Sequence, residues 1–446
     1  MDAHILPQAI FGLNPQILAT SILVVSYIIL FTEKLNRAVV ALLGASVMIF
    51  AGILTQTSAL AGIDFNTISL LIGMMIVVGI AEKSGMFQYV AIKSAKIVKA
   101  SPRGLLIMLS IVTAVFSAVL DNVTTVLLIV PVTFQITRNL KINPYPFLIL
   151  EIFASNIGGT ATLIGDPPNI LIGSALELSF MDFVKELSLI VIVTMVVLIA
   201  VFDFIFGRKM VASETDKAKI MKINETDSIT NYNLLYKSLG VLALTIIGFI
   251  CAEYIHINNG TIALFGAALL LMLYTLGDKH QERDQKVEDA FSLVDWTTIF
   301  FFCGLFAIVY GLEVAGVLEI LGQKFIEITE GSIKKATFLV LWVSAIVSTA
   351  IDNIPFVATM IPLIKSMEES MGGRETMMPV WWALSLGSCF GGNGSLIAAS
   401  ANVIVAGFAT REGHSISFIK FLIWSIPVML ISVTLAMIYL YIIHFI

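Results

Sequence analysis

Charge is scarce in this chain. Asp, Glu, Lys and Arg make up 13% of its 446 residues, roughly half the share of an ordinary soluble domain. Cysteine is scarcer: Cys251, Cys303 and Cys389 stand singly without CxxC spacing, so no disulfide framework is expected, only three reduced structural thiols. The histidines show no metal spacing; His256, His280, His414 and His444 fall in loops or at the end. No phosphate-binding loop, zinc signature, nucleophile–base set or nucleic-acid-binding patch stands out, which leaves enzyme and nucleic-acid readings without support.

Apolar residues fill the space: 58% of the chain is hydrophobic and the mean hydropathy is +0.96. Apolar stretches of about 17 to 22 residues recur from end to end, long enough to cross a hydrocarbon core of about 30 Å as helix. The composition therefore predicts an all-α polytopic membrane protein in contact with lipid. The first stretch, Ile17 to Phe31, follows Asp2 and His4 rather than a basic n-region, so it reads as a span and not as a cleavable signal.

Single spans are expected at 16–32, 37–54, 66–82, 184–206, 236–254, 261–277, 296–312 and 421–444. Two regions in each half fit no single span. Residues 104–139 and 335–368 each hold an Asp-Asn pair near the middle, and residues 145–180 and 379–412 each carry a polar, glycine-rich interruption. The segment 207–234, charged and polar throughout, reads as a flexible cytoplasmic linker.

The two halves are copies. Asp64 and Asp295, Gly73 and Gly304, Glu82 and Glu313, Asp121 and Asp352, and Pro131 and Pro362 are all 231 positions apart. "GGTATLIGDPPN" (158–169) aligns with "GGNGSLIAASAN" (391–402) at an offset of 233. This is an internal duplication, with repeats over 1–206 and 235–446. Each has three ordinary spans, a hairpin-like segment, a broken span and a final span. If the hairpin returns to its own side, each repeat crosses five times, and the odd number inverts the second copy. With both termini outside, most of the 26 Lys and Arg residues fall in inner loops.

Residues 104–139 as one helix would extend about 54 Å, so the segment must turn, most naturally at Asp121-Asn122. Either two full spans meet at the far surface or a re-entrant hairpin stops part-way. In "SNIGGTATLIGDPPNILIG" (155–173), glycines weaken the helix and Pro167 and Pro168 remove two backbone donors. Irregular backbone at membrane depth is tolerated only where protein buries it or where it lines a cavity. A hairpin tip carrying Asp121, Asn122, Thr124 and Thr125 would satisfy it. The expectation is two symmetry-related sites. One joins that tip to Asn156, Gly158, Gly159, Thr160, Thr162, Asp166 and Asn169. The other joins Asp352, Asn353 and Thr359 to Gly391, Gly392, Asn393, Ser395, Ser400 and Asn402. Carboxylate, amide, hydroxyl and carbonyl oxygens suit Na⁺ or H⁺; helix N-termini and amide N–H groups suit an anion or an uncharged hydroxide. Plainer roles exist beside these. Asp-Asn is a common turn pair, glycine breaks allow close packing, and Asp166 could cap the next half-helix. Glu82 and Glu313 read as structural span ends, and Glu151 as a weaker candidate for handling protons.

"LDNVTTVLLIVPVT", "NIGGTATLIGDPPNILIGSA", "IDNIPFVATMIP" and "GGNGSLIAASANVIVAG" resemble the arsenite-permease/P-protein branch of the ion transporter superfamily, nearest to the melanosomal P protein and its bacterial relatives. The likeness runs over nearly the whole chain except the first dozen residues and 207–234. It implies a citrate-transporter-like domain with inverted repeats and two re-entrant hairpins, an elevator-type alternating-access mechanism, a homodimer, and a bacterial or archaeal inner membrane. More distant relatives, the sodium/dicarboxylate symporters, carry Ser-Asn-Thr at each hairpin tip, where it helps hold Na⁺. The matching places here read Asp121-Asn122-Val123 and Asp352-Asn353-Ile354. Asn122 and Asn353 thus carry over as Na⁺ ligands, while a carboxylate in place of serine speaks against a dicarboxylate cargo. The expected function is secondary transport of a small inorganic ion or oxyacid, with efflux of arsenite, antimonite or a similar small anion coupled to H⁺ or Na⁺ placed first. A Na⁺/H⁺ antiporter is the alternative, and an ion channel the alternative from another class. No cofactor is called for beyond the coupling ion.

Overall fold

A computed structural model describes residues 9–32 and 34–446, so Asp2 and His4 lie outside the described residues. The chain is helical, with no strand among the described residues. The first half runs α1 (Pro15–Phe31), α2 (Arg37–Phe50), short α3 (Gln56–Ala61), α4 (Phe65–Glu82) and α5 (Met86–Ile97). It continues through α6 (Pro102–Val119), α7 (Asn122–Leu140), α8 (Tyr145–Gly159), α9 (Pro167–Leu176) and α10 (Phe180–Ile205). After α11 (Glu214–Met221) the second half repeats the order: α12 (Tyr232–Ile255), α13 (Asn259–Thr275), α14 (His280–Phe291), α15 (Trp296–Val314) and α16 (Val317–Thr329). Then come α17 (Ile333–Ala350), α18 (Asn353–Met367), α19 (Arg374–Gly391), α20 (Ser400–Arg411) and α21 (Phe418–Phe445). Eight of the described helices are long and apolar enough to cross a membrane, and α1, α2 and α13 are shorter apolar helices. The chain is an all-α polytopic membrane protein.

Packing follows the duplication. α4 crosses α13, and α15 crosses α2. At the first crossing a methyl on Gly73 would lie 2.5 Å from the Ala263 backbone; at the second, one on Gly304 would lie 2.5 Å from Ala41. Only glycine permits backbones so close. α6 packs on α8 as α17 packs on α19, and α9 meets α18 as α20 meets α7. The hairpin arms and broken helices thus form one body, and the crossed helices with α1 and α12 form another.

Two expectations change. The 207–234 segment is not a free tether: α11 packs on α7 and α5, Lys96 Nζ meets Glu225 Oε2 at 2.5 Å, and the Thr230 N–H donates to the Ser84 carbonyl at 3.0 Å. The Lys96 ammonium holds the Glu225 carboxyl below the usual carboxylate range. Most of the segment's polar residues still face water, but these contacts hold it against the helices. The regions after α4 and α15, which no expected span covers, form amphipathic helices α5 and α16, each starting from a left-handed glycine, Gly85 or Gly316.

Candidate functional site

Both hairpins turn where the sequence places the Asp-Asn pairs. Asp121 is the N-cap of α7: Oδ1 accepts from the Thr124 N–H at 2.7 Å and Oδ2 from the Thr124 hydroxyl at 2.6 Å. Asp352 caps α18, accepting from the Ile354 N–H at 3.0 Å. Each acid therefore has a local task, starting the second arm of its hairpin. Asp352 also faces a cation, with Arg37 Nη1 3.4 Å from Oδ2.

The asparagines beside and behind these caps converge. Asn122 Nδ2 donates to Asn156 Oδ1 at 3.2 Å. Asn156 Nδ2 in turn approaches Asn402 Oδ1 at 2.9 Å and Asn393 Oδ1 at 3.1 Å. Asn169 spans its own break, donating to the Thr160 and Thr162 carbonyls at 3.0 and 2.9 Å. Asn402 does the same in the other half, to Gly392 and Ser395 at 2.7 and 2.8 Å. These amides satisfy carbonyls that the unwound segments free. The loops are also stapled to the hairpins: Thr162 Oγ1 donates to the Ala118 carbonyl and Ser395 Oγ to the Thr349 carbonyl, both at 2.6 Å. A methyl on Gly158 would lie 2.4 Å from the Ala114 carbonyl, and one on Gly391 2.7 Å from the Ala345 carbonyl.

The two expected pockets are thus one centre. Asn156, at the end of α8 beside the first break, reaches Gly392, Asn393 and Asn402 of the second. Position 156 aligns at the offset of 233 with Cys389, whose sulfur lies 3.7 Å from Asn169 Oδ1. That contact mirrors Asn156 on Asn402. The thiol, which seemed unmatched in sequence, holds the place of an asparagine. Thr359 is not brought to the centre; it bonds to the Tyr27 hydroxyl of α1 at 2.6 Å and to the Pro355 carbonyl at 2.9 Å. Thr125 is buried close to its tip with an unpartnered hydroxyl.

Asp166 differs from the capping acids. It precedes α9 at the N-cap position without making a cap hydrogen bond. It is 1% exposed, and its carboxyl oxygens make no close hydrogen bond, facing only the Cys389 thiol and the Asn353 side chain. It borders a cavity of about 310 Å³ between the two bodies, together with Asp121, Asn122, Thr124, Asn353, Ser400, Asp295 and Arg37. Arg37, on α2, was not foreseen. Its guanidinium donates to Ser400 Oγ at 2.9 Å and Thr298 Oγ1 at 2.7 Å, and lies 3.8 Å from Asp295. Acids outnumber bases around the cavity, where Arg37 is the one basic lining residue among the described residues and already faces two carboxylates. Among the described residues no group of three or more His, Cys, Asp and Glu side chains could hold a metal ion.

A helical membrane fold with paired hairpins closing on broken helices defines a membrane transporter. The chain belongs to the citrate transporter family, which it matches over residues 27–387. It is 41% identical to an uncharacterized transporter of Mycobacterium tuberculosis over 96% of this chain and 99% of that one. It is 32% identical to the human P protein over 96% of this chain and 60% of that protein. The crystal structure of the Alcanivorax borkumensis YdaH transporter superposes with a TM-score of 0.62 at 12% identity, covering 96% of this chain and 98% of that one. At that identity the likeness speaks for the fold alone.

Proposed function

We propose that this chain is a secondary active transporter whose centre carries a cation, H⁺ or Na⁺, against or with a small ionic or oxyacid cargo. One observation carries the reading: Asp166 is buried beside the cavity with neither a close hydrogen bond nor a cationic partner at its carboxyl oxygens. A buried carboxylate without a partner is costly, and a proton or Na⁺ relieves it. Asn122, Asn353 and the carbonyls of the two breaks supply further oxygen ligands for Na⁺. Alternating access proceeds by the hairpin body moving past the crossed helices, in an inverted-repeat, elevator-type homodimer.

The surplus of acids supports Na⁺/H⁺ exchange over carriage of a lone anion. Citrate, the substrate in the family's name, brings three carboxylates to a cavity that already has Asp121, Asp166 and Asp295 on its walls; it would have to travel with several cations. Efflux of arsenite, antimonite or a similar small oxyacid is the second reading. Its support is the half-helix N-termini at Pro167 and Ser400, both on the cavity wall or next to it.

Purified protein in liposomes, offered Na⁺, arsenite, antimonite and chloride in turn under imposed pH and Na⁺ gradients, tests this. Flux should follow a cation gradient, and Asp166→Asn should remove that dependence while the protein stays folded. Gradient-independent flux that Asp166→Asn leaves untouched would end the proposal.

A further inference from the structure

Glu151 lies in the middle of α8, 1% exposed, and takes no part in the asparagine centre. Its Oε1 is 2.6 Å from Thr133 Oγ1 on the hairpin arm α7. Its Oε2 is buried with no hydrogen-bond partner. No ion pair reaches it among the described residues, because the charged groups on helices packed against α8 are engaged elsewhere: Arg103 with Asp203, Arg138 with Glu412 and Glu186 with His444. Arg411 lies over the Phe408 ring. Phe153 packs on Phe202, which leaves Lys185 about 25 Å further along α10. Asp182 and Arg374 line a pocket at that same far end, where Glu375 neighbours Arg374 in the first turn of α19.

The fold does not need a carboxyl group at this point. In the second half the aligned positions of Glu151 and Thr133 are Leu384 and Ile364, both fully buried in the equivalent helices. An acid at membrane depth costs about 2.5 to 3.5 kcal/mol on insertion scales, and leucine packs the same place without that cost. The pair is therefore a feature of one repeat alone, kept where hydrocarbon would serve packing.

We infer that Glu151 is a proton-binding site separate from the central cation site, taking up and releasing one proton per transport cycle. This deepens the coupling-cation reading and rests on it for the link to flux. Neutral Glu151 donates its O–H to the Thr133 hydroxyl oxygen; ionised Glu151 accepts from the same hydroxyl. Threonine can take either part, so the 2.6 Å contact survives both states with its donor reversed. Polar groups lie to either side of Glu151 along the helices. Asn156 is five residues on along α8, about 7.5 Å. Toward the foot of the hairpin, the Thr137 hydroxyl is bonded to the Thr133 carbonyl at 2.8 Å. That foot carries Arg138 and Lys141, on the face where basic residues gather.

Infrared difference spectra of the full chain in liposomes, recorded across pH steps, test the proton site directly. Wild type should show a buried carboxylic-acid band that titrates, Glu151→Gln should delete it, and Thr133→Val should shift it by removing its hydrogen bond. In parallel, pH-gradient-driven flux of radioactive Na⁺ should fall about tenfold in Glu151→Gln, within the usual range for coupling between two sites, with an unchanged melting temperature showing that the fold survives. A Glu151→Gln protein that keeps every titrating carboxyl band overturns the inference, as does one that keeps wild-type proton-driven flux. If wild type moves no Na⁺ in any gradient, the exchange reading falls, while the infrared band still decides Glu151.

Discussion

Asp121, Asp352 and Asp166 look alike in sequence, each an acid in apolar surroundings, yet they are held differently. The first two cap helices through backbone N–H groups, and asparagine caps as well as aspartate does. Asp121→Asn should therefore leave thermal stability almost unchanged, whereas Asp121→Ala should lose about 1 kcal/mol; Asp352→Asn keeps its cap but gives up the Arg37 ion pair. Coupled flux should drop in both asparagine variants, because each removes a negative charge beside Asp166; full flux in both would reduce these acids to turn-formers. The duplication made this scale legible, since paired Asp-Asn steps and asparagines at 169 and 402 stand out by offset alone. Arg37 was not legible. Its partners Thr298, Asp352 and Ser400 are 261, 315 and 363 positions away, and no local pattern signals a contact of that range. Cys389 was hidden for another reason: a thiol opposite an asparagine breaks the identity that marks a repeat.

At the scale of helices, the sequence reading matched the apolar helices, the turns before α7 and α18 and both breaks, because long apolar runs and glycine-proline interruptions are strong local signals. It could not show that the two breaks share one centre, which is a matter of how elements pack and not of their periods. The glycines record that packing. Gly158 and Gly391 sit where α8 and α19 press on the hairpin arms α6 and α17. Gly158→Val places carbon atoms against the Ala114 backbone, which cannot yield as a side-chain tip would. A loss of roughly 1 to 3 kcal/mol or more is expected, read as a lower melting temperature in detergent, together with loss of transport. The same change at Gly407, whose added methyl would meet only the end of Arg411 at 4.0 Å, should cost far less.

In the whole molecule the two halves are related in sequence, but the hairpin body is placed unevenly between them. The cavity at the Asp121 tip includes Arg37 and Asp295, at the starts of α2 and α15, and Asp352 is paired with Arg37 as well. At the starts of the mirrored helices α4 and α13, by contrast, Asn66 Nδ2 donates to Ser174 Oγ at 2.8 Å, near the far end of α9. On the proposed elevator reading, the hairpin body sits at one end of its travel. If the halves exchange roles during transport, the mirror of the Asn66–Ser174 contact must form, between Thr297 and Gly407. Ser400, beside Thr298 through Arg37 now, lies seven residues from Gly407, so α20 must slide by about 10 Å along α15. Arg37 has to release Asp352 and Ser400 on the way, which makes it the catch on this state. Two cysteine pairs read the movement. Asn66→Cys with Ser174→Cys should cross-link readily in the resting protein and stop transport until reduced. Thr297→Cys with Gly407→Cys should cross-link slowly, and faster once Arg37→Gln removes the catch. Equal rates for the two pairs, unaffected by Arg37→Gln, would mean that the body does not move past the crossed helices and that access to Asp166 changes by a local opening instead.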